Sequence, residues 1–211
     1  MERTLIVYDL DGTLVNSAEQ VLQILNILRF DLGLEPLVIG QVASTISLGG
    51  EDLIRQGLAV PDKDVVTYLD KFRKLYSEFN TTETSVYPEV HSTLETLMAK
   101  DVALSICTNK PRNLAEKVLY ETNLMRFFEY INAGGDLPSK KPHRDNLIAC
   151  VRHFNITFDN VYLVGDSSVD QNLAINSDVK FIFYASGYND GVDLNKVESV
   201  ICQHSEILSL I

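Results

Sequence analysis

Leu5-Ile6-Val7-Tyr8-Asp9-Leu10-Asp11-Gly12-Thr13 begins as an unbroken apolar run and ends in two carboxylates and a glycine. Consecutive apolar residues without polar alternation suit a strand buried on both faces, as in a parallel sheet covered by helices. The glycine permits a sharp turn directly behind the strand. In open α/β sheets ligands bind outside the carboxyl ends of the strands, so Asp9 and Asp11 fall where chemistry is done. Two acids there can hold a divalent cation, or one can attack phosphorus while the other handles a proton. On its own the segment also fits an Asx-type turn, because Asp and Gly are good loop residues.

Working outward, short apolar runs at residues 102–107, 130–132, 161–164 and 180–184 read as strands of the same kind. Segments of helical period at residues 90–99, 113–120, 144–154 and 170–176 alternate with them from about residue 88 onward. That alternation predicts an α/β fold, a doubly wound parallel sheet with a Rossmann-like core. Residues 18–82 break it: apolar residues recur there at helical spacing, as Val21, Ile24, Leu25, Leu28 and Leu32 do, and no strand is predicted. An all-helical cap domain inserted after the first strand accounts for this. Asn16-Ser17 and the polar run Asn80-Thr81-Thr82-Glu83-Thr84-Ser85 mark its ends. The expected division is an α/β catalytic core of residues 1–16 and 83–211 and a cap of residues 17–82. A lid beside the catalytic edge can close over substrate and exclude water.

Composition narrows the partners. With 211 residues, 45% hydrophobic and 22% charged, the chain is ordinary globular material. A net charge of -11 argues against nucleic acid, whose binding rests on clustered Lys and Arg. No apolar stretch approaches a membrane span, and the first residues lack a secretory pattern, so no membrane partner is expected. Cys107, Cys150 and Cys202 show no CxxC spacing and cannot all pair, which favours a cytoplasmic location and buried free thiols. A chain with its own lid is expected to be a monomer or weak homodimer.

Three later clusters join the first. Thr108-Asn109-Lys110-Pro111 follows a predicted strand and offers a hydroxyl and backbone N–H donors, a phosphate cradle that also reads as a plain N-cap threonine. Lys140-Lys141-Pro142 precedes another helix, with Pro142 suited to its first turn. Gly165-Asp166-Ser167-Ser168-Val169-Asp170 repeats the pattern of strand, tight turn and acids, although Asp170 also suits a helix dipole. Phosphoryl transfer requires each of these residue types, and their joint occurrence at strand exits and helix entries carries the argument.

Asp9-x-Asp11-Gly12-Thr13, Thr108-Asn109-Lys110, Lys141-Pro142 and Gly165-Asp166-Ser167-x-x-Asp170 together resemble the four ordered motifs of the haloacid dehalogenase superfamily. Leu48-Gly49-Gly50-Glu51-Asp52-Leu53-Ile54 and Tyr87-Pro88-Glu89-Val90 resemble its phosphoglycolate phosphatase branch. The resemblance implies a Mg²⁺-dependent phosphomonoester hydrolase acting on a small phosphorylated metabolite through an aspartyl-phosphate, with phosphoglycolate as the first substrate to consider. It implies Asp9 as nucleophile and Asp11 as general acid and base. It further implies Thr108, Asn109 and Lys141 as phosphate-binding groups, and Asp9, Asp166 and the Asp11 carbonyl as metal ligands. Gly12 and Asp170 would support them, and Gly49, Gly50 and Glu51 at the cap tip would tune specificity.

Some residues depart from the pattern. Arg144 stands where a second proline is usual, and Asn176-Ser177-Asp178 replaces a small Ala-Gly pair. His143 lies next to this region but has no role to fill, since Asp11 supplies acid and base. The presence of Asp11 argues against C–Cl cleavage, and a phosphoryl-accepting receiver has no helical lid. A sugar-phosphate mutase, a nucleotide or pyrophosphate phosphatase and a non-catalytic phosphate-binding relative are the remaining alternatives.

Overall fold

The computed structural model describes residues 3–41, 43–46 and 50–211. Its first half runs β1 (Leu5–Tyr8), α1 (Ala18–Asp31), α2 (Ala43–Ile46), α3 (Gly50–Leu58), α4 (Asp62–Glu78) and α5 (Val90–Ala99). The chain then alternates through β2 (Ala103–Pro111), α6 (Arg112–Glu121), β3 (Tyr130–Gly134), α7 (Asp145–Phe154), β4 (Val161–Gly165), α8 (Ser168–Ser177), β5 (Lys180–Tyr184) and β6 (Ser199–Ile201). The strands form one six-stranded sheet in the order β3-β2-β1-β4-β5-β6. Every pairing in it is parallel.

The apolar run at the start of the chain explains the layering. All four β1 residues are fully buried. Leu5 and Val7 share a hydrophobic cluster with Leu147 and Val151 of α7 and Leu173 of α8. Ile6 and Tyr8, pointing the other way, share one with Leu94 and Leu97 of α5 and Val118 of α6. A strand whose side chains alternate between two covered faces has to be apolar throughout. The chain builds outward from β1 to β3 and returns to β4, so strand order reverses between β1 and β4, where such sheets open a crevice at their carboxyl ends.

Between β1 and α5 the regular structure is helical among the described residues. The inner faces of these helices, with Ile24 and Leu25 of α1, Ile54 of α3 and Leu69, Phe72 and Tyr76 of α4, are buried in the same cluster as Ile6 and Tyr8. Departing and returning segments run side by side. Asn16 N donates to Ser85 O at 2.7 Å, Tyr87 N donates to Leu14 O at 3.0 Å, and Val15 forms an antiparallel bridge with Val86.

Several details differ from the sequence reading. β2 continues to Pro111 instead of ending at Cys107, which carries the Thr108 cluster out on the strand itself. β6 is a three-residue edge strand, too short to leave a periodic signal. Asp178 closes α8 in the left-handed conformation at φ 55°, which short polar side chains tolerate, so the turn forms without a glycine. Cys107 and Cys150 are buried free thiols, but Cys202 is exposed, which corrects the expectation that all three are buried. No helix among the described residues is long and apolar enough to cross a membrane.

Candidate active site

Asp9 leaves the end of β1 toward the crevice, its N–H held by Val164 O of β4 at 2.9 Å. Lys141, 3% exposed, brings its Nζ to 2.9 Å from Asp9 Oδ1 and 2.7 Å from Asp170 Oδ1. Asp170 is fully buried in the first turn of α8, where Ser167 Oγ donates to its Oδ2 at 2.5 Å and accepts from its N–H at 3.3 Å. Asp166, at the end of β4, accepts from Thr13 Oγ1 and from Tyr188 N, each at 2.8 Å. The Asn109 side chain clamps the backbone of Lys141, its Oδ1 accepting from Lys141 N at 2.8 Å and its Nδ2 donating to Lys141 O at 3.3 Å. Thr108 is buried beside it and accepts from Lys110 N at 3.2 Å. Gly12 is required twice over: its φ is +83°, and a Cβ there would lie 2.2 Å from Asp166 Oδ2.

Burial sets the electrostatics. It pushes Asp9 up to about 7, against the pull of the Lys141 charge. Asp166 is raised well above the usual carboxylate range by burial, with the charges of Asp170 and Asp9 adding to it. For Lys141 burial works downward, but Asp170 and Asp9 outweigh it, so the ammonium is held firmly charged. Asp9, Asp166 and Asp170 place ligand oxygens within 4.8 Å of one another. Three buried acids face one lysine, and Asp9 Oδ1, though in ion-pair contact with Lys141, has no aligned hydrogen bond. An oxygen-rich site with surplus negative charge suits a hard divalent cation.

Asp11 lies outside that acidic trio. Ser17 Oγ donates to its Oδ1 at 2.6 Å, and Lys110 Nζ donates to its two oxygens at 3.0 and 3.1 Å. Lys110 also reaches across to α4, donating to Tyr76 Oη at 2.8 Å. The sequence reading assigned no role to Lys110, Tyr76, Ser17, Thr13 or Tyr188. Lys110 lies inside the Thr108-Asn109-Lys110 motif, but with the strand expected to end at Cys107 nothing in the sequence aimed its side chain at the site. Tyr76 continues the inward row of Leu69 and Phe72 on α4.

These groups border a half-open space of about 90 Å³ between the sheet's carboxyl edge and the helical segment. Asp9, Asp11, Thr108, Asn109, Lys110 and Lys141 line one side, and Leu53, Leu69, Phe72, Arg73 and Tyr76 face them. Gly50 borders this space, where a Cβ would press to 2.7 Å from Leu69 Cδ1. Gly49 lies outside the described residues. Glu51 does not line the space, and its carboxylate pairs with Arg55 one turn on at 3.0 Å. Lys140 is exposed, with Nζ 3.8 Å from Asp52, which leaves the buried position to Lys141. Arg144 is exposed, and His143 is exposed beside Asp145 at 3.4 Å.

The sequence profile of the haloacid dehalogenase-like hydrolases matches residues 6–184. A phosphoglycolate phosphatase of Cereibacter sphaeroides is 32% identical over 87% of this chain and 85% of that protein. One from Nitrosococcus oceani is 29% identical over 98% of this chain and 96% of that protein. The crystal structure of a predicted phosphoglycolate phosphatase from Haemophilus somnus superposes with a TM-score of 0.89 at 24% identity, covering 100% of this chain and 98% of that one. The chain belongs to the haloacid dehalogenase-like hydrolases and within them is a phosphatase.

Proposed function

We propose that this phosphatase hydrolyses a small phosphomonoester, 2-phosphoglycolate first among them, through an aspartyl-phosphate on Asp9. The observation that carries the reading is the meeting of Asp9, Lys141 and the buried acids at the sheet's carboxyl edge, with Asp11 beside them on the same wall of a space of about 90 Å³. On this measure a water needs about 10–15 Å³, so the half-open space has room for a small phosphomonoester.

In the first step an Asp9 oxygen attacks phosphorus as the ester P–O bond breaks. Asp11 gives its proton to the departing alkoxide, then takes one from the water that attacks the aspartyl-phosphate, returning free Asp9 and inorganic phosphate. Thr108 and the Asn109 backbone orient the phosphoryl oxygens, and Lys141, held by Asn109 and Asp170, balances their charge. Asp9, Asp166 and the Asp11 carbonyl would hold Mg²⁺, with Asp170 beside them. Bound there, the ion screens the negative charges of the phosphoryl group and its attacking carboxylate.

The same reading takes residues 17–82 as the cap, its supports being the helices in that span and the paired hydrogen bonds of Asn16 and Tyr87 at its neck. Gly50 serves as cap wall against the substrate. A cytoplasmic setting accords with the free thiols.

The test is phosphate release from 2-phosphoglycolate, sugar phosphates, nucleoside monophosphates and pyrophosphate, with Mg²⁺ and with chelator. Magnesium-dependent release concentrated on 2-phosphoglycolate is expected. Release concentrated on another compound would replace the substrate, and none from any compound by the folded protein would remove the hydrolase reading.

A further inference from the structure

Arg73 is out of keeping with its surroundings. The chain carries 29 acidic residues against 18 basic ones, and four of its eight arginines form ion pairs among the described residues. Arg55 engages Glu51, Asp52 and Asp62; Arg112 engages Glu116 and Asp136; Arg126 engages Glu95. Arg73 makes no hydrogen bond or ion pair among the described residues, yet it borders the catalytic space. It stands on α4 between Phe72 and Tyr76, exposed to solvent at the border of that space and outside the buried row of the helix.

The distribution of charge around that space leaves Arg73 a specific task. At the sheet edge Lys141 is committed to Asp9 and Asp170, and Lys110 to Asp11 and Tyr76. Leu53, Leu69, Phe72 and Leu114 supply apolar wall, which can accept a short carbon chain but no charge. A substrate whose phosphoryl group sits against Asp9 and Lys141 therefore carries its leaving group past apolar wall toward the one lining cation without a partner among the described residues. A guanidinium presents a planar fork of donors that matches a carboxylate, and a space of about 90 Å³ suits a compact anionic group.

We propose that Arg73 is a specificity-determining residue that binds a carboxylate on the leaving-group end, so that the preferred substrates are short phosphorylated carboxylic acids. The inference rests on the proposed phosphatase reading, because the placement of the phosphoryl group comes from it.

The experiment compares kcat/KM for 2-phosphoglycolate with that for 2-hydroxyethyl phosphate, the same length with a neutral head, in the Mg²⁺-loaded enzyme. Arg73→Ala should lower the ratio of the two by roughly 10- to 100-fold, mainly through KM, as expected for loss of a charged hydrogen-bonding partner. Arg73→Lys should recover part of it, since a point charge keeps attraction but not the fork. Because the ratio is read within one protein, a fold defect divides out. A ratio unchanged within twofold overturns the proposal, as does a larger loss on 1,2-ethanediol bisphosphate than on the carboxylate. Calorimetric binding of 2-phosphoglycolate to Asp9→Asn, with and without Arg73→Ala, separates the two readings. Weaker binding in the double variant supports the carboxylate contact even where the wild-type enzyme fails to hydrolyse this compound, and equal binding overturns it.

Discussion

Two buried lysines serve the same cavity and are held in opposite ways. All the partners of Lys141 belong to the sheet edge: Asp9 behind β1, Asp170 at the start of α8, and Asn109 of β2 clamping its backbone. Lys110 stands on β2 but divides its ammonium between Asp11 at the sheet edge and Tyr76 on the helical segment. Burial opposes the charge on Lys110, while Asp11 and Tyr76 outweigh it and hold it in the charged form. The two side chains are only 2% and 7% exposed, so the difference is one of attachment and not of burial. The Lys141 node is complete within the sheet, whereas the Lys110 node is complete only when α4 is in place. On the proposed mechanism, the part that would grip phosphate is built without the helical segment, and the part that would handle the proton depends on it.

That contrast breaks first at its permanent end. Asp9→Asn should abolish turnover while leaving the fold intact, since the amide keeps the shape but has no nucleophilic oxygen anion. Single-turnover phosphate release checks it, and unchanged activity would remove the nucleophile assignment. Lys141→Met should lower kcat by roughly 10²- to 10³-fold, the range for loss of a donor aimed at developing charge. A loss confined to KM would mean that Lys141 only attracts substrate. Its neighbour Asp170 would in that variant face a gap where its cation had been, so a rise in thermal lability is expected alongside.

The loop under the permanent node adds a pH signature. His204 is buried with its Nε2–H donated to Thr13 O at 2.9 Å, and burial lowers it to about 4 from its ordinary 6.5. A depressed folded-state value means that the unfolded chain binds the extra proton first. The stability His204 contributes is thus present above pH 6.5 and lost as pH falls toward 4. The loss between pH 7 and pH 4 should be about 3 kcal/mol. Urea unfolding at both pH values, with His204→Gln alongside, checks this: the substitution should flatten that part of the slope, and an equal slope in both proteins would refute it.

The sequence made the permanent node legible and left the shared one hidden, for a physical reason. Asp9, Thr108, Lys141 and Asp166 each follow an apolar run or precede a helix, and parallel strands gather such exits along one edge. The motif named Lys110 with Thr108, but nothing local says that residue 76 of a helix lies across from it. That contact is tertiary, set by how α4 packs on α1, α3 and α6. Arg73 and Ser17 escaped notice for the same reason. Glu51 is the converse case: close to the expected cap tip in sequence, it is turned by helical period to the outer side, where Arg55 takes it.

The smallest expected effect decides whether the shared node works as a unit. Lys110→Met should cost roughly 10- to 100-fold in kcat, because Asp11 loses its charged partner. Tyr76→Phe keeps the ring against Phe72 and removes only the hydroxyl that holds Lys110, so its cost should be roughly 2- to 10-fold. If Tyr76 acts through Lys110, the double variant should be no slower than Lys110→Met alone, since residues in one network do not add. Additive losses would mean that Tyr76 touches substrate on its own account and that the helical segment closes the cavity without governing Asp11. Non-additive losses, with Asp9 and Lys141 untouched, would locate the coupling between cap and chemistry at the Lys110 ammonium.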